Sequence, residues 1–255
     1  MTTIDLNADL GESFGAYQIG NDRDLLKIVS SANIACGFHG GDPSVMHGTI
    51  QAAKAAGVRM GAHPGFNDLA GFGRRVIRGN SPAEIGHMIL YQIGAFQGIA
   101  RALDAEMAYV KLHGALSNMA MVEQPIADAF LSVMQAGAPG VAVMAMPHSA
   151  IESGARDRGV SVIKEAFADR AYLANGMLMP RSQPNAVIHD PGAACARVLD
   201  MLDSRSILAD DGSRIPADID SICVHGDNPE AVVIAQSIRN ALESAGVSVA
   251  PVHGS

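Results

Sequence analysis

The sequence predicts an α/β fold built on a parallel sheet, either wound open or closed as a barrel. Short apolar strand candidates alternate with longer helical patterns from end to end, the order that produces parallel sheets. The length, 255 residues, is common among single (β/α) barrels, so one domain over residues 1–255 is expected. Histidines recur at the carboxyl ends of the strand candidates, the rim where such folds carry their sites.

The first strand candidate, residues 3–9, opens the stretch TIDLNADLGESFG. Ile4, Leu6 and Ala8 alternate with Asp5, Asn7 and Asp9, the two-residue period of a strand with one apolar and one acidic face. Further strands are expected at 31–38, 58–62, 107–112, 141–146, 160–165 and 219–224. Asp42-Pro43 starts a helix over 44–56 that Gly57 ends, and Ser81-Pro82-Ala83-Glu84 is a capping box before a helix over 83–103. Asn228-Pro229-Glu230 opens a last helix over 229–245, closed by Gly246. The loops 64–80 and 166–190 are long for connectors, and ordered loops of that length are more often functional than idle.

A net charge of -8 and a pI near 5.5 repel phosphate backbones, and the adjacent basic pair Arg74-Arg75 is not a basic stripe. Nucleic acid is therefore not an expected partner. Cys36, Cys195 and Cys223 lie far apart, so reduced thiols are expected. MTTIDLNADLGE lacks the basic and apolar regions of a signal peptide, and no apolar run is long enough to span a bilayer. Cytoplasm is the expected location.

His39, His63, His113, His148 and His225 each fall at the carboxyl end of an expected strand, whereas His47 and His87 fall on helix faces. One such histidine is readily explained by a backbone hydrogen bond, but five on one rim point to a polar cavity. Side-chain parity agrees. Tyr109, Lys111 and His113 share one face against Val110 and Leu112, and Cys223, His225 and Asp227 repeat the pattern. The face looking into the barrel then carries Asp5, Asn7, Asp9, Lys111, His113 and His225 instead of aliphatic layers. Burying an unpaired charge costs several kcal/mol, so these groups must pair with one another or line a wet pocket.

Two glycine-rich stretches suit anions. GFHGGDP, residues 37–43, feeds a helix N-terminus, although Gly40 and Gly41 serve a tight turn equally well. GFGRR, residues 71–75, offers two guanidiniums for a carboxylate or phosphate, or for surface ion pairs. GxxxxGK[ST], GxGxxG after a strand and GxSxG are absent, which argues against a nucleotide cradle or serine hydrolase on this chain. Cys36 and Cys223 read as core or cavity lining.

The stretches DLNADLGESFG, SANIACGFHGGDP, GAHPGFNDLAGFGRR, YQIGAF, VKLHGAL, EAFADRAY, RSQPNAVI and CVHGDNPEAV together resemble the LamB/YcsF family over nearly the whole chain. The resemblance implies a distorted seven-stranded (β/α) barrel akin to glycoside hydrolase and deacetylase folds. It also implies ATP-dependent hydrolytic opening of 5-oxo-L-proline to L-glutamate, performed together with partner subunits B and C. The family pattern carries onto Asp9, Glu12, His39, Asp42, His63, Arg74, Arg75, Lys111, His113, Glu165, Asp169, Arg170, His225 and Asp227. Where the family usually reads VKPHGALYN, Leu112 and Ser117 replace proline and tyrosine.

A five-membered lactam is an unreactive amide, and ATP can convert its oxygen into a phosphorylated leaving group. The site must then hold a small anion, position water and protonate nitrogen. Asp9 or Glu12 is expected as base, His113 as acid, and Arg74 with Lys111 as anion clamps. His39, Asp42, His63, Arg75, Glu165, Arg170, His225 and Asp227 are expected around the substrate. With no phosphate loop here, phosphoryl transfer is expected to need the partner subunits. That reading requires no metal. The rival is a metal-dependent deacetylase acting on a carbohydrate-like substrate, with Asp9, His39 and His63 as ligands. A third reading is a protein that only binds small molecules within a complex.

Overall fold

The alternation read from the sequence closes on itself. The computed structural model describes residues 2–224 and 231–254. In chain order these form β1 (Thr3–Leu10), α1 (Asp22–Leu25), β2 (Ser31–Ala35), α2 (Pro43–Ala56), β3 (Arg59–His63), α3 (Pro82–Ala102), β4 (Tyr109–Val110), α4 (Gly114–Val122), α5 (Gln124–Gly137) and β5 (Ala142–Ala145). There follow α6 (Ala150–Arg158), β6 (Val162–Phe167), α7 (Pro191–Ser204), β7 (Ser206–Leu208), β8 (Arg214–Pro216), β9 (Ser221–Val224), α8 (Ala231–Ser244) and β10 (Ser248–Val249). Strands β1 to β6 pair in sequence, β6 pairs with β9 and β9 returns to β1, every pairing parallel. The result is a closed seven-stranded barrel, and its strands are the seven expected from the sequence.

Register explains which residues point inward. On β1, Asp5 lies opposite Ser221 of β9, Asn7 opposite Ser31 of β2, and Asp9 opposite Asn33. Partners in register share a face, so these polar residues form one inner layer. Ile4, Leu6, Ala8 and Leu10 point the other way, into the buried apolar layer shared with the helices. Helix α3 presents Ile85, Ile89, Ile93 and Phe96 to that layer at helical spacing.

The start and stop signals act as read. Asp42 caps α2 by accepting from Ser44 N at 2.8 Å and Val45 N at 3.1 Å, and Gly57 ends it in the left-handed region at φ 68°. Ser81 and Glu84 form the reciprocal box at the start of α3. The expected opening of α8 at Asn228-Pro229-Glu230 lies outside the described residues. The antiparallel pair β7–β8 and the short β10, which joins the start of β1, are additions to the expected strands. Among the described residues no helix is long and apolar enough to cross a membrane.

Strand β4 is the shortest in the barrel, and its first residue explains a glycine on its neighbour. Gly61 of β3 lies opposite Tyr109, and a Cβ there would sit 2.3 Å from the fully buried Tyr109 ring. Gly61→Ala should therefore destabilise the protein by about 1–3 kcal/mol, the cost of overpacking a core. Urea unfolding would check this through a lower midpoint.

Candidate active site

The floor of the site is a polar layer in which each group holds the next. Asp5 accepts from Ser30 Oγ at 2.6 Å, from Ser31 Oγ at 2.7 Å and from Ser221 Oγ. Burial raises its pKa, against which the three hydroxyls and Arg59 act. Asn7 donates to Ser221 Oγ at 2.8 Å. Above it, Asn33 Nδ2 donates to Asn7 Oδ1 at 2.7 Å and to Asp9 Oδ1 at 2.8 Å, while Tyr109 donates to Asn33 Oδ1 at 2.7 Å.

Lys111 completes this layer. The chain beyond β4 continues the ladder, with Lys111 N donating to Ala62 O, so the side chain enters the barrel. Its ammonium lies 2.7 Å from Glu165 Oε1 and 3.1 Å from Asp9 Oδ1, with Cys223 Sγ at 3.2 Å. Burial alone would neutralise it, but Asp9, Cys223 and Glu165 hold its pKa well above the usual lysine value. The expectation that the acidic face of β1 is paired inside the barrel is met.

The imidazoles lie one layer higher. Gly11, at φ 68°, turns the chain out of β1 and delivers Glu12 to the rim. His39 Nε2 is 3.3 Å from Glu12 Oε1, His113 Nδ1 is 3.5 Å from the same oxygen, and His63 Nε2 is 3.4 Å from Asp9 Oδ2. His63 Nδ1 donates to Lys111 O at 2.8 Å, and His113 Nε2 donates to Phe72 O at 2.8 Å. His39 and His113 stack, with centroids 3.6 Å apart and planes 2° apart. Burial lowers the pKa of both well below the ordinary value, reinforced at His39 by His113 and His63 and at His113 by His63.

The long loop 64–80 covers this cluster. A Cβ at Gly73 would come within 2.8 Å of both His113 Cδ2 and His39 Cβ, so only glycine allows the loop to lie this close. Phe72 stands at φ 55°, a conformation uncommon for a bulky residue, and its carbonyl is the acceptor for His113. Two clefts flank the cluster. One, of about 620 Å³, is lined by Asp9, His63, Arg74, Lys111, His113 and Arg170 among others. The other, of about 840 Å³, holds Glu12 and His39 beneath Phe14, Tyr17 and Phe72, with Arg74 again on its wall.

The structure thus brings together Asp9, Glu12, His39, His63, Lys111 and His113, with Glu165 behind Lys111 and Arg74 between the clefts. Arg170 also lines the first cleft. Its guanidinium donates to Ala186 O at 3.2 Å and Met179 O at 2.6 Å, which folds the 166–190 loop over the barrel, and burial lowers its pKa to about 10. Asp169 beside it is buried.

Other candidates lie elsewhere. Asp42 is engaged by α2 and by Gly15 N at 2.7 Å, while Gly40 and Gly41 are required by close approaches to the Glu12, Gly11 and Ala35 backbone. The GFHGGDP turn thereby places Glu12, and Asp42 already occupies the first amides of α2. Arg75 pairs with Asp68, its Nε donating at 2.9 Å, with most of the side chain exposed. His148, at φ 63°, turns toward the hairpin and donates to Pro216 O at 2.6 Å. His225 and Asp227 lie outside the described residues. Leu112 and Ser117, the departures from the family pattern, both line the first cleft, so the missing tyrosine alters its wall.

Sequence reasoning did not single out Asn33 as a site group, nor Tyr109 beyond its parity. Asn33 could have been found by pairing the inner face of β2 with that of β1. For a metal, Glu12, His39, His63 and His113 each offer one donor atom, all within 4.8 Å of one another. That set has Glu12 and His113 where the expected ligand set had Asp9.

A model of the LamB/YcsF family matches residues 4–255. The A-subunit of 5-oxoprolinase from Gluconobacter oxydans (strain 621H) is 48% identical over 247 residues, covering 97% of both chains. The crystal structure of a lactam utilization protein from Thermus thermophilus superposes with a TM-score of 0.92 at 43% identity, covering 98% of this chain and 100% of that one. A family 4 carbohydrate esterase from Streptomyces lividans, in complex with acetate, has a TM-score of 0.53 at 12% identity over 97% of this chain and 91% of its own, a likeness of fold alone.

Proposed function

From the premise that this chain belongs to the LamB/YcsF family, we propose that it catalyses the hydrolytic opening of 5-oxo-L-proline to L-glutamate, as the A-subunit of an ATP-using 5-oxoprolinase. The reading includes subunits B and C as partners and the cytoplasm as location. The observation that carries it is the convergence of Asp9, His63 and His113 in one cleft, with Arg74 on its wall and Glu12 reaching His113 from the neighbouring cleft at 3.5 Å.

Opening the ring adds water across the C–N bond: oxygen joins the carbonyl carbon, the bond to nitrogen breaks, and nitrogen takes a proton. Asp9 suits the base. Asn33 and Lys111 hold its Oδ1, and its Oδ2 faces His63 at the cleft. Lys111 is spent between Asp9 and Glu165, so it acts through Asp9 and leaves the substrate carboxylate to Arg74. His113 has Nε2 committed to Phe72 O, which leaves its Nδ1, 3.1 Å from His63 Nε2 and 3.5 Å from Glu12 Oε1, as the nitrogen available to the reaction. ATP phosphorylates the lactam oxygen with release of ADP, and a second water frees the phosphate from the opened product, steps this reading gives to the partner subunits.

The test is to supply the complete complex with 5-oxo-L-proline and ATP and to measure L-glutamate. Glutamate formed only when ATP and this chain are both present is the expected result. A verified complete complex that forms none would overturn the reading.

A further inference from the structure

Two backbone carbonyls determine where the imidazole protons sit. A carbonyl oxygen only accepts, so His63 carries its proton on Nδ1, toward Lys111 O, and His113 carries its proton on Nε2, toward Phe72 O. The nitrogens left over, His63 Nε2 and His113 Nδ1, are then both lone-pair acceptors, and they face each other at 3.1 Å. Glu12 Oε1 brings a third electron-rich atom to within 3.5 Å of His113 Nδ1. With neutral rings no hydrogen lies between the two ring nitrogens, and two buried lone pairs facing each other at 3.1 Å beside a carboxylate oxygen form an arrangement that a bound cation would stabilise.

We propose that this cluster is a binding site for one divalent transition-metal ion of the zinc class, held by His63 Nε2, His113 Nδ1 and Glu12 Oε1. Ligands of a tetrahedral zinc, about 2.0–2.1 Å from the metal, lie about 3.3 Å from one another. The 3.1 Å and 3.5 Å separations bracket that spacing, and the three atoms belong to a set within 4.8 Å. The carbonyls bonded to the far side of each ring are the outer partners that metal-bound histidines regularly have. Three protein ligands leave a fourth position open for water or a ligand oxygen.

His39 is the fourth member of the cluster but not a ligand. Its ring lies parallel to that of His113 at 3.6 Å, so an ion in the plane of one ring lies far from the plane of the other. Fully buried, its nitrogens have no hydrogen-bond partner among the described residues, and its Nε2 approaches Glu12 Oε1 at 3.3 Å. Asp9 lies at the edge, 3.4 Å from His63 Nε2, placed to accept a proton from water on the ion.

The inference does not depend on which substrate the cleft takes, and its test uses the isolated full chain without turnover. Protein stripped with chelator would be titrated with Zn²⁺ by calorimetry and with Co²⁺ by visible absorption. One ion per chain with micromolar or tighter affinity, and a cobalt spectrum of low coordination number, is expected. Glu12→Gln and His113→Ala should each weaken binding at least 10-fold, while His148→Ala leaves it unchanged. Circular dichroism confirms that each variant is folded, and Glu12→Gln alone suffices if His113→Ala is not. A folded wild-type chain that takes up neither ion, binding that survives both variants, or a ring nitrogen spectrum showing one shared proton in metal-treated protein would overturn the proposal.

Discussion

Lys111→Met should lower the stability of the folded chain by about 3–5 kcal/mol, the usual result of removing one partner from a buried ion pair. The ammonium sits between Asp9 and Glu165 in the barrel interior, at 3.1 Å and 2.7 Å. Methionine fills similar volume but leaves two buried carboxylates without a counter-charge. A simple loss of packing would cost less than about 1.5 kcal/mol for a volume-conserving change. Urea unfolding followed by circular dichroism distinguishes the two. Adding Glu165→Gln to Lys111→Met should recover part of the loss, because one of the stranded charges is then gone. A midpoint unchanged by Lys111→Met would show that the interior charges are not coupled as described.

Asp9→Asn should separate chemistry from folding. The remaining side-chain oxygen can still accept from Asn33 and Lys111, and Lys111 keeps Glu165. What is lost is the carboxylate that the proposed reaction uses to take a proton from water. Glutamate release by the complete complex should fall by roughly 10²–10⁴-fold, the scale of a lost general base, with thermal unfolding of the chain shifted little. If turnover of the variant stays within a few fold of wild type, Asp9 holds Lys111 in place and has no part in proton transfer.

How far the sequence reached depends on the range of the signal. The alternation of Asp5, Asn7 and Asp9 with Ile4, Leu6 and Ala8 is local, and it identified the inner face of the first strand correctly. Lys111 followed from the same parity. The helix caps at Asp42 and Ser81 are also local, and both stand where they were read. His148 shows the limit of that method: it follows a strand like the other rim histidines, but a positive φ turns it to the hairpin. Glu12 shows another, since the parity of β1 ends at Gly11 and only the left-handed turn carries the carboxylate to the imidazoles.

Asn33 and Tyr109 escaped notice because their role is a contact between strands. Tyr109 reaches Asn33 only because Gly61 leaves room for its ring, a fact spread over three strands. Which imidazole nitrogens face one another in the cluster was equally out of reach. It depends on two carbonyls, Lys111 O and Phe72 O, and backbone acceptors leave no trace in residue identity.

The central claim is that the floor of this cleft is where the cyclic amide opens. Glutamate formation from 5-oxo-L-proline and ATP, measured with the partner subunits alone, with the wild-type chain restored, and with the His113→Ala chain restored, tests it most directly. The prediction is no glutamate without the chain, full activity with it, and a loss of roughly 10²-fold or more with His113→Ala in a complex that still assembles. Equal glutamate formation in the absence of the chain, or near-normal turnover with His113→Ala, would contradict it.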